Sequence, residues 1–392
     1  MAVVPFSAPE GPVERPLRVA VIGCGAIAQM MHLPTLAERP DLFTIAGLAD
    51  IDAATLQAVA ARYHVERRTT EFRDLLRQPD IDAVLVLASG SHRKFVLPAL
   101  EAGRHVFVEK PLGFSVGETE TIAQAARRTG RLLMVGYHKR FDPAYERARD
   151  QVQRLRQLRY VDVTVLHPDE DAYRRHHALL PNRPKPPVAE DTLDRLALED
   201  TSTAEMRPLL EETLGSNAPQ AIRVALFVLL TSLIHDINAL RGILGEPEEV
   251  ISAHAWRGGM AQTSLTRFGG DVRVAMTWIS VPEVANYEET LRFISPECRV
   301  RLTFPSPYLR HAPTPLVVER MHDGALVAEH HTVSYEEPFR AELHRFRECV
   351  LTGAAPKPGI DEALGDAHWI EQIAHALLKN RVIGESGNRG IG

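Results

Sequence analysis

The first 141 residues alternate short apolar runs with helical stretches, and this alternation constrains the fold more than any other feature of the sequence. Runs such as LRVAVIG, from Leu17, and DAVLVLAS, over residues 82–89, are apolar on both faces, as strands in parallel sheets are. The helical stretches between such runs have the length that links parallel strands. We therefore predict an α/β fold in which residues 16–141 form a doubly wound parallel sheet.

The pattern of the sequence changes after Phe141. Between residues 249 and 334, seven segments alternate apolar and polar residues, which predicts strands with one covered face. These segments are VISAHAW, TSLTRF, VRVAMTWISV, TLRFIS, VRLTF, PLVVERM and LVAEHHTV. We predict that residues 142–392 form an α+β domain with a large, open, mostly antiparallel sheet that binds substrate and mediates oligomerisation.

Three parts of the chain fall outside this pattern. Residues 1–15 are rich in proline and are predicted to be a flexible leader, and the final SGNRGIG is predicted to be disordered. An acidic insertion at residues 169–217 holds eleven acidic and six basic side chains, and so carries five of the chain's six net negative charges. No strand is readable in the insertion, and short helices and loops are expected there.

The composition excludes several classes of protein. A net charge of −6 implies no basic surface for nucleic acid, and 45% hydrophobic residues are too many for a disordered chain. Three cysteines, far apart in sequence, form neither a disulfide framework nor a CxxC metal site. The longest uncharged apolar run, residues 224–234, has eleven residues, whereas a membrane span needs about 20. The start does not resemble a signal peptide, so a cytoplasmic location is expected.

A glycine-rich turn follows the first predicted strand. It reads GCGAIA from Gly23, a G-x-G-x-x-A pattern. Glycines at these positions permit a tight turn and let the backbone approach a pyrophosphate, which the amides of the following helix then bind. We predict that Gly23, Gly25, Ala26 and Ile27 bind a dinucleotide, and that residues 16–141 form a Rossmann domain.

An acidic residue ends the second predicted strand, as a ribose-binding carboxylate does in many dinucleotide-binding domains. Asp50 is expected to accept hydrogen bonds from the adenosine ribose and to repel a 2′-phosphate, which favours NAD over NADP. Asp52 competes for that role. Either residue could instead be the N-cap of the helix that begins at Ala53.

The segment AGRHVFVEKPL, residues 102–112, resembles the signature of the glucose–fructose oxidoreductase and inositol dehydrogenase family, known as Gfo/Idh/MocA. The resemblance extends over residues 17–379, except for the acidic insertion. It implies a Rossmann domain followed by an α/β domain with a large open sheet. It also implies a nicotinamide-dependent oxidoreductase that acts on CH–OH groups of a sugar, sugar derivative or cyclitol. The preference for NAD, with NADP less favoured, comes from Asp50.

The resemblance implies roles for individual residues. Lys110 of the EKP motif is expected to lie beside the nicotinamide and the reacting hydroxyl, and Glu109 belongs to the same predicted cofactor site. Ser89 and His92 follow another strand end and are expected to approach the nicotinamide half of the cofactor. His138, just past a further strand, is expected to contact the substrate.

A histidine on the long apolar helix predicted over residues 221–244 matches the catalytic histidine of the family. The family commonly shows Asp-x-x-x-His-x-x-Asp there, and this chain has Thr231, His235 and Asn238 at those positions. We predict that His235 is the general base and that Thr231 and His235 contact substrate. Because threonine cannot stabilise an imidazolium as a carboxylate does, the pKa of His235 is expected near its ordinary value of about 6.5. An acid from the insertion could supply the missing charge.

Two other functions stay open from the sequence: redox-assisted glycoside cleavage with retained NAD, and a non-catalytic NAD-binding regulator. No metal is predicted, because the pairs His176-His177 and His330-His331 lack the spacing of a helical zinc site. The expected partners are a small sugar or cyclitol and further copies of the chain, in a dimer or tetramer. The open sheet, with Trp278, Ile279 and Phe293, is expected to bury an apolar face in that oligomer.

Overall fold

The computed structural model describes residues 15–181, 201–284 and 286–380. Nearly all of the predicted leader, the middle of the acidic insertion and the predicted disordered tail therefore lie outside the described residues.

A parallel sheet of six strands, in the order β3-β2-β1-β4-β5-β6, forms the first part of the fold. The chain order reverses between β1 and β4, which creates the crevice where doubly wound sheets bind ligands. The prediction of a doubly wound parallel sheet is confirmed. The strands are β1 (Leu17–Ile22), β2 (Phe43–Ala49), β3 (Arg68–Thr69), β4 (Ala83–Val86), β5 (His105–Glu109) and β6 (Leu133–Gly136).

Helices connect these strands. A π-helical turn (Ala28–His32) runs directly into α1, and Ser115 caps α5 by accepting a hydrogen bond from the amide of Glu118. The sequence did not indicate β3 or α3, which have two and four residues and are too short for periodicity to reveal. The helices are α1 (Leu33–Glu38), α2 (Ala53–Arg62), α3 (Arg73–Leu76), α4 (Arg93–Glu101) and α5 (Val116–Thr129).

A second sheet has eight strands in the order β14-β13-β12-β11-β7-β10-β9-β8. Its neighbours pair antiparallel except β7 and β10, which run parallel. All seven segments predicted from alternation are strands of this mostly antiparallel sheet. The strands are β7 (Tyr160–His167), β8 (Pro247–Trp256), β9 (Ala261–Phe268), β10 (Val272–Ser280), β11 (Glu288–Ile294), β12 (Arg299–Phe304), β13 (Pro315–His322) and β14 (Ala325–Thr332).

The helices of the second part cover the inner face of this sheet and return to the first sheet. Leu343 and Phe346 of α11 belong to the same apolar cluster as Val19 and Phe107 of the first sheet. The two parts thus share core packing, and the domain boundary near Phe141 stays a prediction. The helices are α6 (Pro143–Val152), α7 (Asp171–Arg174), α8 (Thr201–Leu214), α9 (Gln220–Val228), α10 (Ile234–Leu244), α11 (Pro338–Thr352) and α12 (Ile360–Lys379).

One long helix carries much of the core. The helices α9 and α10 join through a π-helical turn (Leu229–Leu233) into a continuous helix, Gln220–Leu244. By length and hydropathy alone this helix could cross a membrane, but 67% of its most apolar window is buried inside the protein. Its burial against both sheets is that of a core helix.

The outer face of the second sheet differs from the sequence-based expectation. Trp278 and Phe293 are 4% and 0% exposed, and they point to the inner face, where the Trp278 indole donates a hydrogen bond to Ser232 at 3.0 Å. Side chains alternate along a strand, so their neighbours Thr277 and Arg292 face outward instead. The placement of Trp278 and Phe293 on an exposed apolar face was therefore wrong, because alternation defines two faces without showing which one helices cover.

Candidate active site

The glycine-rich turn after β1 has the geometry of a dinucleotide-binding turn. Gly23 has a φ of +95°, and a Cβ there would lie 2.5 Å from the amide nitrogen of Ala88, so only glycine fits. No atom lies within 4 Å of where a Cβ of Gly25 would be. The turn thus packs tightly against the end of β4 on one side and leaves room on the other, as the approach of a pyrophosphate requires. Ala26 and Ile27 follow at the start of the helical segment.

The structure separates the two acidic residues that compete for the ribose. The carboxylate of Asp50 accepts hydrogen bonds from the amides of Cys24 at 2.7 Å and Asp52 at 2.8 Å, so it lies beside the glycine-rich turn. The carboxylate of Asp52 caps α2 instead, accepting from the amide of Ala54 and the hydroxyl of Thr55. Asp50 is therefore the acid in position to face a bound adenosine ribose.

Lys110 connects the two parts of the protein. It follows β5, and its Nζ donates a hydrogen bond to the main-chain oxygen of Thr231 at 2.6 Å. Burial lowers the pKa of Lys110, while the charges of Glu109 and Glu170 act in the opposite direction. Thr231 lies one helical turn before His235, so the contact brings the lysine to the helix that carries this histidine.

Two histidine rings meet beside this lysine. The ring of His138 stacks on Phe339 with centroids 4.2 Å apart, and its other neighbour is the ring of His235, edge-on at 4.8 Å. Burial lowers the pKa of His235 well below 6.5, and the charges of Lys110, Lys139 and His138 lower it further. The pKa thus departs from the ordinary value chiefly because the ring is buried, and the sequence reveals neither that burial nor the cationic neighbours.

Thr231 and Asn238 do not interact with His235 as the matching aspartates were expected to. The hydroxyl of Thr231 donates to the main-chain oxygen of Phe227 at 2.8 Å, and Nδ1 of His235 has no hydrogen-bond partner among the described residues. The side-chain amide of Asn238 donates to Asp366 at 2.7 Å, away from the ring. The ring of His235 thus contacts the ring of His138, and its Nδ1 receives no hydrogen bond from Thr231 or Asn238.

The sequence did not reveal a buried ionic group next to these rings. Lys139 and Glu289 form a fully buried ion pair, and the hydroxyl of Tyr287 donates to the same carboxylate. Burial lowers the pKa of Lys139 to about 8 and raises that of Asp236 to about 6, against the opposing influence of Lys139. Lys139 was visible beside His138, but no pattern connects it with residues 150 positions away.

The acidic insertion does contribute a carboxylate to the site. Glu170 accepts a hydrogen bond from the hydroxyl of Tyr308 at 3.2 Å and lies 3.3 Å from Nε2 of His167. Its charge acts on Lys110, whereas the influences on His235 come from cationic neighbours. Among the described acids of the insertion, Glu170 thus acts on the lysine, and no described insertion acid acts on His235.

Three predicted cofactor residues lie around the ends of β4 and β5 in different settings. Ser89 is exposed, whereas His92 is buried with its ring nitrogens 2.7 Å and 2.9 Å from the main-chain oxygens of Pro111 and Ala88. Glu109 lies 2.7 Å from Nε2 of His32 and accepts from the amide of Lys110. His92 and Glu109 thus brace the loops that carry Ser89 and Lys110, and their polar atoms are engaged within the protein.

One group of potential metal ligands occurs among the described residues, and it includes neither of the two histidine pairs noted in the sequence. His32, Glu109 and Glu342 place ligand atoms within 4.8 Å of one another. The 2.7 Å separation of His32 and Glu109 is a hydrogen-bond distance, too short for two ligands sharing a metal. Burial, together with Glu109 and Glu337, raises the pKa of Glu342 well above its ordinary value, which favours a neutral acid.

The N-terminal part of the chain is similar in sequence to known oxidoreductases. The family model described as "Oxidoreductase family, NAD-binding Rossmann fold" (GFO_IDH_MocA) matches residues 17–137. The chain is 34% identical over 134 residues to the uncharacterised oxidoreductase YrbE of Bacillus subtilis and 35% identical over 136 residues to inositol 2-dehydrogenase of Acidothermus cellulolyticus. Each alignment covers 34% of this chain and 39% of the relative's length.

Solved structures share the fold over most of the chain. The 3-ketoreductase KijD10 of Actinomadura kijaniata, solved with NADP and TDP-benzene, has a TM-score of 0.70 at 22% identity and covers 92% of this chain and 98% of its own. Aldose-aldose oxidoreductase of Caulobacter crescentus has a TM-score of 0.71 at 23% identity, covering 94% and 99%. The predicted resemblance is confirmed for the N-terminal region: residues 17–137 match the Gfo/Idh/MocA family model, which describes an NAD-binding Rossmann fold.

Proposed function

We propose that this protein is an NAD-dependent oxidoreductase that transfers a hydride between nicotinamide and a hydroxyl-bearing ring carbon of a sugar, sugar derivative or cyclitol. The observation that carries the proposal is the contact of Lys110 with the main chain of Thr231, one turn before His235. This contact joins a lysine at the edge of the parallel sheet to the helix of the second part that carries the histidine. Both side chains then lie next to the crevice proposed to bind a dinucleotide.

The relatives support the class of substrate. Inositol 2-dehydrogenase acts, by its name, on a cyclitol, and another relative of 36% identity over 126 residues is a dTDP-dideoxyglucose 3-reductase of Saccharopolyspora spinosa. Both names describe redox chemistry at a ring carbon. Because the chain spans only 39% and 37% of these proteins, their substrates enter here as part of the proposal.

In the proposed mechanism, His235 removes the hydroxyl proton and Lys110 donates a hydrogen bond to the same oxygen. His235 suits this role because its lowered pKa keeps the ring neutral, with a free lone pair, at neutral pH. The cation of Lys110 stabilises the negative charge that develops on oxygen as the C–O bond becomes a carbonyl. When bound, the nicotinamide supplies the acceptor for the hydrogen that leaves carbon with both electrons. Reduction uses the same two side chains in reverse.

The cofactor preference should respond to Asp50. We expect wild-type protein to bind NAD more tightly than NADP, and Asp50→Ser to narrow that difference about tenfold, or roughly 1.4 kcal/mol, by removing the charge that repels a 2′-phosphate. Titration of both cofactors against wild type, Asp50→Ser and the cap variant Asp52→Ser measures this. A wild-type protein that binds NADP more tightly would show that the Asp50 assignment is wrong.

A panel of sugars, sugar acids, glycosides and inositols, each mixed with NAD⁺ and the protein, tests the proposed function. NADH absorbance should rise with at least one ring carbinol. If no compound yields NADH while NAD binding is intact, the result supports a non-catalytic NAD-binding regulator. Cleavage of a glycoside without net NADH supports redox-assisted cleavage instead.

The proposal also covers location and assembly, neither of which depends on the reaction. We propose that the protein acts in the cytoplasm and assembles as a homo-oligomer of more than one subunit. The outer face of the second sheet includes a depression of about 540 Å³ whose lining mixes polar side chains such as Thr164, Thr290 and Arg301 with the apolar Pro315 and Val317. Light scattering at micromolar concentration checks this, and a clean monomer would contradict it.

A further inference from the structure

A buried glutamine ties the start of the acidic insertion to the glycine-rich turn. Nε2 of Gln29 donates to the main-chain oxygen of Leu180 at 2.7 Å, and its Oε1 accepts from the amide of Leu180 at 2.7 Å. The same Nε2 donates to the main-chain oxygen of Cys24, inside the turn, at 2.8 Å. Gln29 is 7% exposed, so these bonds lie in a largely water-free setting.

Further contacts attach the segment that contains Leu180, residues 177–181, to the nucleotide-binding part. Nη1 of Arg62, at the end of α2, donates to the main-chain oxygen of Ala178 at 2.7 Å. Leu179 packs against the apolar cluster of Met30, Met31 and Phe339, against which Ala26 and Ile27 also pack. The segment is therefore fixed to the helix that begins at the pyrophosphate turn and to the helix that follows Asp50.

The end of the insertion contacts the opposite side of the crevice. In α8, the carboxylate of Glu212 accepts from the hydroxyl of Ser115 at 2.9 Å, and Glu205 pairs with Lys94 at 2.6 Å. Ser115 and Lys94 belong to the connections that follow β5 and β4, whose carboxyl ends border the nicotinamide half of a bound dinucleotide. Described parts of the insertion thus touch both sides of the cofactor crevice.

We propose that Gln29 and the main chain of residues 178–180 form a clasp beside the dinucleotide turn that slows release of the cofactor. The proposal rests on the proposed function only in placing a dinucleotide at the Gly23–Gly25 turn. The side-chain amide of Gln29 bonds both the turn and Leu180, so the segment cannot move away without breaking two hydrogen bonds of a side chain that also supports the turn. Gln29 is a positioning residue here, and its effect falls on the rate of dissociation rather than on the chemistry.

The experiment loads purified full-length protein with NADH and displaces it with excess NAD⁺ while NADH fluorescence is followed. We expect Gln29→Leu to release NADH about tenfold faster than wild type, because it loses the bonds to Leu180 and the bond to Cys24 in the turn together. Arg62→Ala, which removes one exposed contact, should release it about threefold faster, and Arg62→Lys should restore part of the loss. The matched control is Gln153→Leu, which loses a single bond to Ile243 far from the crevice and should behave as wild type.

The outcomes separate this proposal from the proposed function. Equal dissociation rates in wild type and the Arg62 and Gln29 variants would overturn the clasp, even if sugars are oxidised normally. Faster dissociation in the variants supports it, even if the substrate panel yields nothing. If Gln29→Leu fails to fold, the Arg62 variants decide the question by themselves. A protein that binds neither NADH nor NADPH would overturn both proposals.

Discussion

Replacing His235 with alanine is expected to lower kcat about 10²–10⁴-fold while NAD affinity stays nearly unchanged. The ring is the only proposed proton acceptor for the substrate hydroxyl, and it lies on α10, away from the turn that holds the pyrophosphate. His375→Ala is a suitable control, because that ring hydrogen-bonds the main-chain oxygen of Thr213 and has no role in the proposed chemistry. A His235→Ala enzyme within a few-fold of wild type would move the base elsewhere, to His138 or Asp236.

The proposed role of His235 also predicts how kcat/KM depends on pH. Burial and the neighbouring cations lower the pKa of His235 well below 6.5, so the neutral base persists as pH falls and is lost only below that value. The acid limb of kcat/KM for oxidation should therefore lie below pH 6.5. Thr231→Asp should move that limb upward, because a carboxylate one turn away stabilises the imidazolium and raises its pKa. An upward shift of the acid limb would also show that His235 acts in the wild type without the aspartate that is common at the position of Thr231 in the family.

Lys110→Ala is expected to reduce kcat about 10²–10³-fold and to leave NAD binding largely intact. In the proposed mechanism the lysine supplies the positive charge near the developing oxyanion, whereas Gly23, Gly25 and Asp50 form the proposed dinucleotide site. The matched control is Lys379→Ala, an exposed lysine at the end of α12, which should retain full turnover. Loss of NAD binding in Lys110→Ala without a selective loss of kcat would instead assign the lysine to cofactor binding, and would contradict its proposed role in stabilising charge.

The sequence was sufficient for most of the fold because the relevant signals are local. Apolar runs between helices predicted the parallel sheet, and period-two alternation predicted seven strands of the second sheet. The parallel pairing of β7 with β10 was not predictable, since the strands are separated by a long stretch of chain and alternation carries no information about pairing partners. The same limit explains the error over Trp278 and Phe293, whose covering helices come from distant parts of the chain.

The site was predictable where a short motif carries the chemistry. Gly23, Asp50, Lys110 and His235 each stand in a recognisable local pattern, and the structure joins Asp50 to the turn that begins at Gly23 and Lys110 to the long helix of His235. The ion pair of Lys139 with Glu289 and the clasp of Gln29 with Leu180 join residues 150 and 151 positions apart, and neither is marked by spacing. The pKa of His235 was misjudged for this reason: its value depends on Lys139 and on burial, which are properties of the folded chain.

The most direct test of the central claim follows the hydrogen itself. With the substrate that the panel identifies, deuterium is placed on the reacting carbinol carbon, and the nicotinamide formed from NAD⁺ is analysed by NMR. We expect deuterium at C4 of the nicotinamide in wild type, with both Lys110→Ala and His235→Ala slowing its appearance without rerouting it. Release of the deuterium to solvent, with none on the nicotinamide, would show proton abstraction rather than hydride transfer and would contradict the proposed function.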